Sequence, residues 1–245
     1  MRLGRLSPGP TPHLPDITRY TARAPLPEPP DDINWTTGTD WPLLANDIVG
    51  DCTCAAVLHY IQSAERWHDG TARPPTDAQA LYAYSAISDY PATDTGALIS
   101  DVLTHWHTTG FEAPSGHDTI HATLRLDPAN TLQLRQALWL FGPLILGARL
   151  PLAAQTQARW TTPTDLTDAN EPGTWGGHCV LLTGWHADGT IDIITWGQVK
   201  PTEPGWLTAY ADEAWAVLHP TWIATGKSPS GWLAEAVIAD MQVLT

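Results

Sequence analysis

The segment around Cys52 has the features of a reactive thiol. Gly50 and Asp51 precede a stretch of helical periodicity, so Cys52 lies at the predicted start of a helix. The unpaired N–H groups and the positive dipole end at a helix N-terminus stabilise a thiolate and lower the pKa of the thiol. Cys52 is therefore a candidate nucleophile, and the alternative is the buried structural role that free cysteines commonly have.

His178 is the candidate base. It follows Gly176 and Gly177 and opens a predicted strand, and two glycines allow the backbone to approach a cleft closely. A histidine at the end of a strand beside a cleft can have a pKa near neutrality, which suits proton transfer. Together, Cys52 and His178 indicate nucleophilic chemistry on a carbonyl group.

Zinc is an alternative use of the same residues. Cys52, Cys54, His178 and Cys179 would supply four soft ligands for a tetrahedral ion. However, adjacent residues of a strand point to opposite faces, so His178 and Cys179 can hardly reach one ion. We therefore expect neither a metal nor a cofactor.

Periodicity predicts an α+β fold, with helices mainly in the first half and strands in the second. The predicted helices cover residues 52–67, 77–87, 96–108 and 130–141, and the predicted strands 144–150, 178–185, 190–196 and 215–218. Residues 187–189 form a predicted hairpin turn between two of these strands. We expect one domain over residues 35–245, with a helical lobe at about 45–115 and a strand-rich lobe at about 120–245.

Composition excludes several classes of partner. The net charge is −14, with 12 basic and 26 acidic residues, so the chain is a poor ligand for nucleic acid or an anionic membrane. No apolar run reaches the roughly 18 residues of a membrane-spanning helix. No apolar signal segment is present either, so we expect a cytoplasmic or virion-associated protein. The three cysteines are an odd number, which predicts at least one free thiol.

Four motifs within about residues 30–220 share their order with a known family. Residues 30–35 resemble a Pro-x-x-x-Asp-Trp opening, and residues 50–56 a Gly-x-Cys…Ala block. Residues 178–185 are similar to a His-Ala-Val…Gly-Tyr strand, and residues 195–197 match the end of Asn-Ser-Trp-Gly. The chain thus resembles the papain-like cysteine peptidases, specifically their bacterial and tailed-phage relatives.

The resemblance implies a fold and a set of roles. It implies two lobes, one helical and one β-barrel-like, with a cleft between them. Cys52 takes the place of the nucleophile, His178 that of the base, and Asn46 that of an oxyanion-hole donor acting with the Cys52 N–H. The residue six positions before Cys54 is Ile48, which has no side-chain donor, so Cys52 is preferred over Cys54. Trp196 is expected to pack over the imidazole and exclude water.

One position departs from the pattern. The asparagine that orients the family's histidine falls on Ile194, which offers no acceptor. Thr195 is expected to point to the opposite face, and Asp192 lies about 6–7 Å along the strand, so neither is a trusted replacement. Two functions therefore stay open. One is a thiol hydrolase acting on peptide-like amide bonds, and the other is a degenerate papain-like fold serving as a structural or binding component, for example of a phage virion.

Residues 1–34 form a predicted Pro-rich arm with eight prolines. Four arginines against two acidic residues make residues 1–30 positive, so the arm should bind an acidic surface as an extended strap. Either it covers the groove of its own chain, as an inhibitory segment would, or it crosses to a neighbouring subunit. The expected partners are thus a peptide or protein substrate, or neighbouring subunits.

Overall fold

The computed structural model describes residues 1–10, 15–18, 26–221 and 228. Within these ranges the chain forms five α-helices and nine strands. The helices are α1 Cys52–Asp69, α2 Asp77–Ile87, α3 Ile99–Thr108, α4 Thr131–Phe141 and α5 Pro204–Tyr210. Of these, α1 is the central element, because all of its first twelve residues are buried.

The strands form one large antiparallel sheet and a separate hairpin. They are β1 Ile33–Asn34, β2 Phe111–Ala113, β3 Gly116–Asp118, β4 Ala122–Leu126, β5 Leu144–Leu150, β6 Gly176–Trp185, β7 Ile191–Thr195, β8 Gln198–Thr202 and β9 Ala211–Leu218. The large sheet has the order β4-β9-β5-β6-β7-β8, and β1 also pairs with β6. β2 pairs only with β3 in the hairpin.

The large sheet separates two hydrophobic cores. Alternate residues of β6 and β7 face opposite sides, so Val180 and Ile193 pack with α4 and α5, whereas Leu181 and Ile194 pack against α1–α3. The α+β prediction is confirmed, and the arrangement is the two-lobe papain-like one. The cleft lies where the start of α1 meets β6.

Two predicted boundaries differ from the structure by three residues or more. α3 begins at Ile99 and not at residue 96, because Gly96 has a positive φ of 86° and Ala97 pairs as an isolated bridge with Arg5. β9 begins four residues earlier than predicted, at Ala211. The sequence also gave no signal for β8, which is an edge strand that contains Pro201, a residue that interior strands exclude.

The described parts of the arm dock on the body of the same chain. Residues 1–6 enter the cleft, and Gln136 of α4 donates to the carbonyl of Leu26 at 3.1 Å. Ile17 is fully buried in the core of the sheet lobe. Arg19 and Arg23 of the predicted arm lie outside the described residues. Residues 222–227 and 229–245 of the predicted second lobe also lie outside them. No helix in the described part of the chain has the length and apolarity needed to cross a bilayer.

Candidate active site

The start of α1 contacts the start of β6 at the candidate nucleophile. The backbone N–H of Cys179 donates to Cys52 Sγ at 3.4 Å, so the sulfur lies beside the residue that follows His178. A cavity of about 10 Å³ here is lined by Cys52, Cys179 and Trp196 among others. Cys54 is fully buried and is not among the residues that line this cavity. All three cysteines are free thiols.

His178 is completely buried and is held on two sides. Its Nε2 forms a hydrogen bond with Thr195 Oγ1 at 2.8 Å, and its ring stacks on Trp196 with centroids 4.3 Å apart and planes 15° apart. The packing expected of Trp196 is therefore observed. Among the described residues, His178 Nδ1 has no hydrogen-bond partner. Nδ1 is thus the imidazole atom left to exchange a proton.

Thr195, and not a residue at position 194, orients the histidine. The expectation that Thr195 faces away from His178 was wrong, because the pairing of β6 with β7 places Ile194 opposite Leu181. Ile194 therefore points toward the helical core, while Thr195 lies on the other face, which it shares with Val180 and His178. A hydroxyl on the next residue thus supplies the contact that position 194 lacks.

Asn46 lines the same cavity as Cys52 but uses its amide within the fold. Its Nδ2 donates to Asp51 Oδ1 at 3.1 Å and to the Val49 carbonyl at 3.3 Å. Asp51 is fully buried, and burial raises its pKa to about 7, although the hydrogen bond from Asn46 opposes that shift. The oxyanion role of Asn46 stays a prediction, and what the structure adds is that Asn46 holds a buried acid next to the thiol.

Residues 1–6, which we call the strap, run through the cleft over Cys52. The Ala97 N–H donates to the Gly4 carbonyl at 2.8 Å, and the Leu6 N–H donates to the Ala97 carbonyl at 3.0 Å. On the other side of the cleft, the Arg5 N–H donates to the Gly177 carbonyl at 3.2 Å. The strap is therefore bound as an extended segment between the two lobes.

Gly4 is the strap residue closest to the sulfur. Its N–H forms a hydrogen bond to Cys52 that lowers the pKa of the thiol, although burial has the larger effect and raises it. A Cβ on Gly4 would overlap the carbonyl group of Gly50, and a Cβ on Gly96 would overlap that of Gly4. Only a glycine fits this slot, and it presents an N–H and not a carbonyl carbon to the nucleophile.

The strap's arginines make ion pairs in two different surroundings. Arg2 lies half-exposed at one end, with its Nε 3.0 Å from Asp94 Oδ2. The Arg5 side chain is 0% exposed, with Nη2 2.7 Å from Asp212 Oδ1 and 2.9 Å from Glu213 Oε2. Burial lowers the pKa of Arg5, but the two carboxylates outweigh it, so the net shift is upward.

With the strap in place, burial shifts the pKa values of the two candidate groups in opposite directions. Burial raises the pKa of Cys52 to about 12. Burial, together with the positive charge of Arg5, lowers the pKa of His178 to about 3. Both shifts favour the neutral thiol and the neutral imidazole over a thiolate–imidazolium pair.

The zinc alternative finds no support in the described residues, where no group of three or more His, Cys, Asp or Glu side chains is arranged to hold a metal ion. Cys179 lies with the helical core and not on the His178 face. The strand alternation that argued against zinc from sequence is thus seen at these two residues.

Sequence reasoning missed the acidic groups that receive Arg5. Asp212 and Glu213 were not singled out, because a pair of acids at the start of a buried strand has no catalytic signature. The signal that was available is the arginine itself, since the positive charge of the arm did suggest an acidic docking surface. Which carboxylates form that surface depends on contacts about two hundred positions apart in the chain.

Solved structures identify the fold. No protein-family model and no curated protein sequence matches the chain. Xylellain, a cysteine protease from Xylella fastidiosa, matches with a TM-score of 0.63 at 16% identity, over 89% of this chain and 96% of that one. Procathepsin B S9 from Trypanosoma congolense matches with 0.61 at 13% identity, over 89% and 86%. A Carica candamarcensis cysteine protease in complex with E-64 matches with 0.56 at 12% identity, over 78% and 99%. The chain has the fold of the papain-like cysteine proteases.

Proposed function

We propose that this chain is a papain-like thiol hydrolase acting on peptide-like amide bonds, of the bacterial and phage branch, and that its strap keeps it latent. The observation that carries the proposal is the arrangement of His178. Its Nε2 is held by Thr195, and its ring is stacked on Trp196. Its Nδ1 has no hydrogen-bond partner in the described part of the chain, and the next residue along β6, Cys179, donates its N–H to the Cys52 sulfur. An orienting group, a base and a nucleophile are all present.

The reaction follows from these roles. His178 Nδ1 takes the thiol proton, and the Cys52 sulfur attacks the carbonyl carbon of the substrate. The Cys52 N–H, with Asn46 if its amide leaves Asp51, stabilises the oxyanion. The C–N bond then breaks, and the amine departs with the proton from His178. Water, deprotonated by the same histidine, hydrolyses the thioester and returns the thiol.

The strap accounts for why the closed form does not react. It fills the cleft, excludes water, and offers the sulfur an N–H where a substrate would offer a carbonyl carbon. Its departure removes the Arg5 charge that lowers the pKa of His178 and exposes both reactive groups to water. Both changes favour transfer of the thiol proton to the imidazole.

Labelling with a thiol-directed epoxide tests the function. Gly4→Val places a side chain where the Gly50 carbonyl lies, so it should expel the strap. Gly9→Val is the matched control, because an added Cβ there meets nothing within 4 Å. We expect epoxide labelling of Cys52 to be faster in Gly4→Val than in the unaltered chain and in Gly9→Val.

Two further variants identify the reacting thiol. Cys52→Ala should abolish labelling of Gly4→Val, whereas Cys54→Ala should leave it unchanged. A folded Gly4→Val protein whose cleft admits a small alkylating reagent, yet whose Cys52 ignores the epoxide and cleaves no peptide, would instead support the structural or binding role.

A further inference from the structure

The side chain of Arg5 occupies a closed pocket in the sheet lobe. It is 0% exposed, and the same nitrogen, Nη2, contacts Asp212 and Glu213. The strap's backbone contacts in the cleft involve N–H and carbonyl groups of Ala97 and Gly177, which any extended peptide could use. Beside the slot that admits only glycine at position 4, the Arg5 pocket is therefore a part of the cleft that can distinguish one sequence from another.

The pocket is built independently of the strap. Trp215 Nε1 donates to Glu213 Oε1 at 2.8 Å, which fixes the carboxylate and leaves Oε2 for the guanidinium. Gly147 lies opposite Glu213 in the pairing of β5 with β9. A Cβ at Gly147 would overlap Nε and Cζ of Arg5, so the glycine provides the space for the planar group.

The charge of the pocket requires a cation. Glu213 is only 3% exposed, and a buried carboxylate whose cationic partner is removed destabilises the protein. When the strap leaves, Asp212 and Glu213 lose the charge that compensates them. A substrate that brings a guanidinium group into the pocket restores that compensation, and an apolar side chain does not.

We propose that Asp212, Glu213 and Gly147 form a specificity pocket for an arginine side chain of the substrate, one residue away from the residue that faces Cys52. The substrate class is thus an extended peptide or protein segment carrying arginine, and Arg5 is the resident occupant. This inference rests on the proposed function. It concerns recognition alone, so it can be tested without any reaction at Cys52.

The experiment uses the full chain with Arg5→Glu, which repels the strap from the two carboxylates. The probe is a fluorescent peptide of the strap sequence, Arg-Leu-Gly-Arg-Leu-Ser, followed by anisotropy. Matched peptides carry citrulline, which is isosteric but neutral, or lysine in place of the second arginine. Arg73→Glu is the control for charge, because Arg73 is exposed. Iodoacetamide labelling of Cys52 reports whether the strap has left.

We expect the arginine peptide to bind Arg5→Glu at least about tenfold more tightly than the citrulline or lysine peptides, as for other charge-assisted contacts. Adding Glu213→Gln, which keeps an acceptor for Trp215, should reduce that preference to within about twofold. Arg73→Glu should bind none of the peptides, since its strap stays in place.

Three results would overturn the inference. One is equal binding of the arginine and citrulline peptides to folded Arg5→Glu. Another is a lysine peptide that binds as tightly as the arginine peptide. The third is a rate of Cys52 labelling that equals the wild-type rate in both Arg5→Glu and the neutral Arg5→Gln. That result would show that the pocket does not hold the guanidinium. Because binding needs no thiol chemistry, a protein that binds arginine but resists the epoxide would refute the hydrolase and not the pocket.

Discussion

The two arginines of the strap make similar ion pairs with very different consequences. Arg2 is 49% exposed and lies 3.0 Å from Asp94, whereas Arg5 is 0% exposed and lies within 2.9 Å of both Asp212 and Glu213. Exposed pairs contribute about 0–1 kcal/mol, but breaking a buried pair costs about 3–5 kcal/mol because a charge is left uncompensated. The two ion pairs therefore differ in strength because of their burial, and their distances alone do not show which one is stronger.

The largest effect should come from Arg5→Met. This change removes the guanidinium and leaves the buried Glu213 and the partly exposed Asp212 without a cation, so docking of the strap should weaken by about 3–5 kcal/mol. Since each 1.4 kcal/mol is about tenfold, iodoacetamide labelling of Cys52 should accelerate by roughly two to three and a half orders of magnitude. An unchanged labelling rate in a folded protein would show that the two arginines do not differ as their burial suggests.

Asp51 sharpens the comparison, because it is a buried acid that accepts a hydrogen bond from the Asn46 amide and makes no ion pair with a described cation. Burial raises its pKa to about 7, above its usual 3.8. Between these values only the unfolded chain loses the proton, so this group's contribution to stability falls as pH rises from about 4 to 7. Over this pH range, the free energy of unfolding of Asp51→Asn should therefore fall by about 2–4 kcal/mol less than that of the unaltered chain.

Urea unfolding at pH 4.5 and pH 7.5 measures the effect. The free energy of unfolding of Asp51→Asn should exceed that of the unaltered chain more at pH 7.5 than at pH 4.5. Asp101→Asn serves as the control, because Asp101 is exposed on α3. If the free energy of unfolding depends on pH in the same way in both variants, burial does not raise the pKa of Asp51.

Gly4→Ala tests the steric fit of the strap without changing its charge. The added methyl would overlap the Gly50 backbone, and overpacking of this kind costs about 1–3 kcal/mol. Labelling of Cys52 should therefore rise by a factor of about 5 to 150, and the rise should be the same at low and high salt. Gly9→Ala should leave the rate unchanged. A rise that disappears at high salt would mean that charge, and not shape, holds Gly4 in place.

The smallest effect should come from Arg2→Met. Its pair with Asp94 is half-exposed, so labelling of Cys52 should rise by no more than about fivefold, which corresponds to about 1 kcal/mol. The rise should shrink further in 0.5 M salt, because salt screens exposed charges. An effect of Arg2→Met as large as that of Arg5→Met would contradict the contrast between the two arginines.

Local patterns in the sequence predicted four of the five helices and four of the nine strands of the described residues. Cys52 at a helix start, His178 after two glycines and Trp196 beside the imidazole were all found from short motifs. The choice between Ile194 and Thr195 failed because it depends on which face each residue takes. That is set by the pairing of Ile194 with Leu181, which the sequence of β7 does not reveal. The contact between Arg5 and Glu213 is harder still to predict, because it joins two residues that are 208 positions apart in the sequence.

The contact between Trp196 and the strap gives the closed form an optical property. Trp196 is 8% exposed, and its indole Nε1 donates to the Arg2 carbonyl at 3.3 Å. When the strap leaves, that N–H and the adjacent ring face meet water, and the emission of an indole moves to longer wavelength as it becomes hydrated. The spectrum of the unlabelled protein therefore reports the state of the cleft, and the rate of opening can be followed in real time by stopped-flow fluorescence.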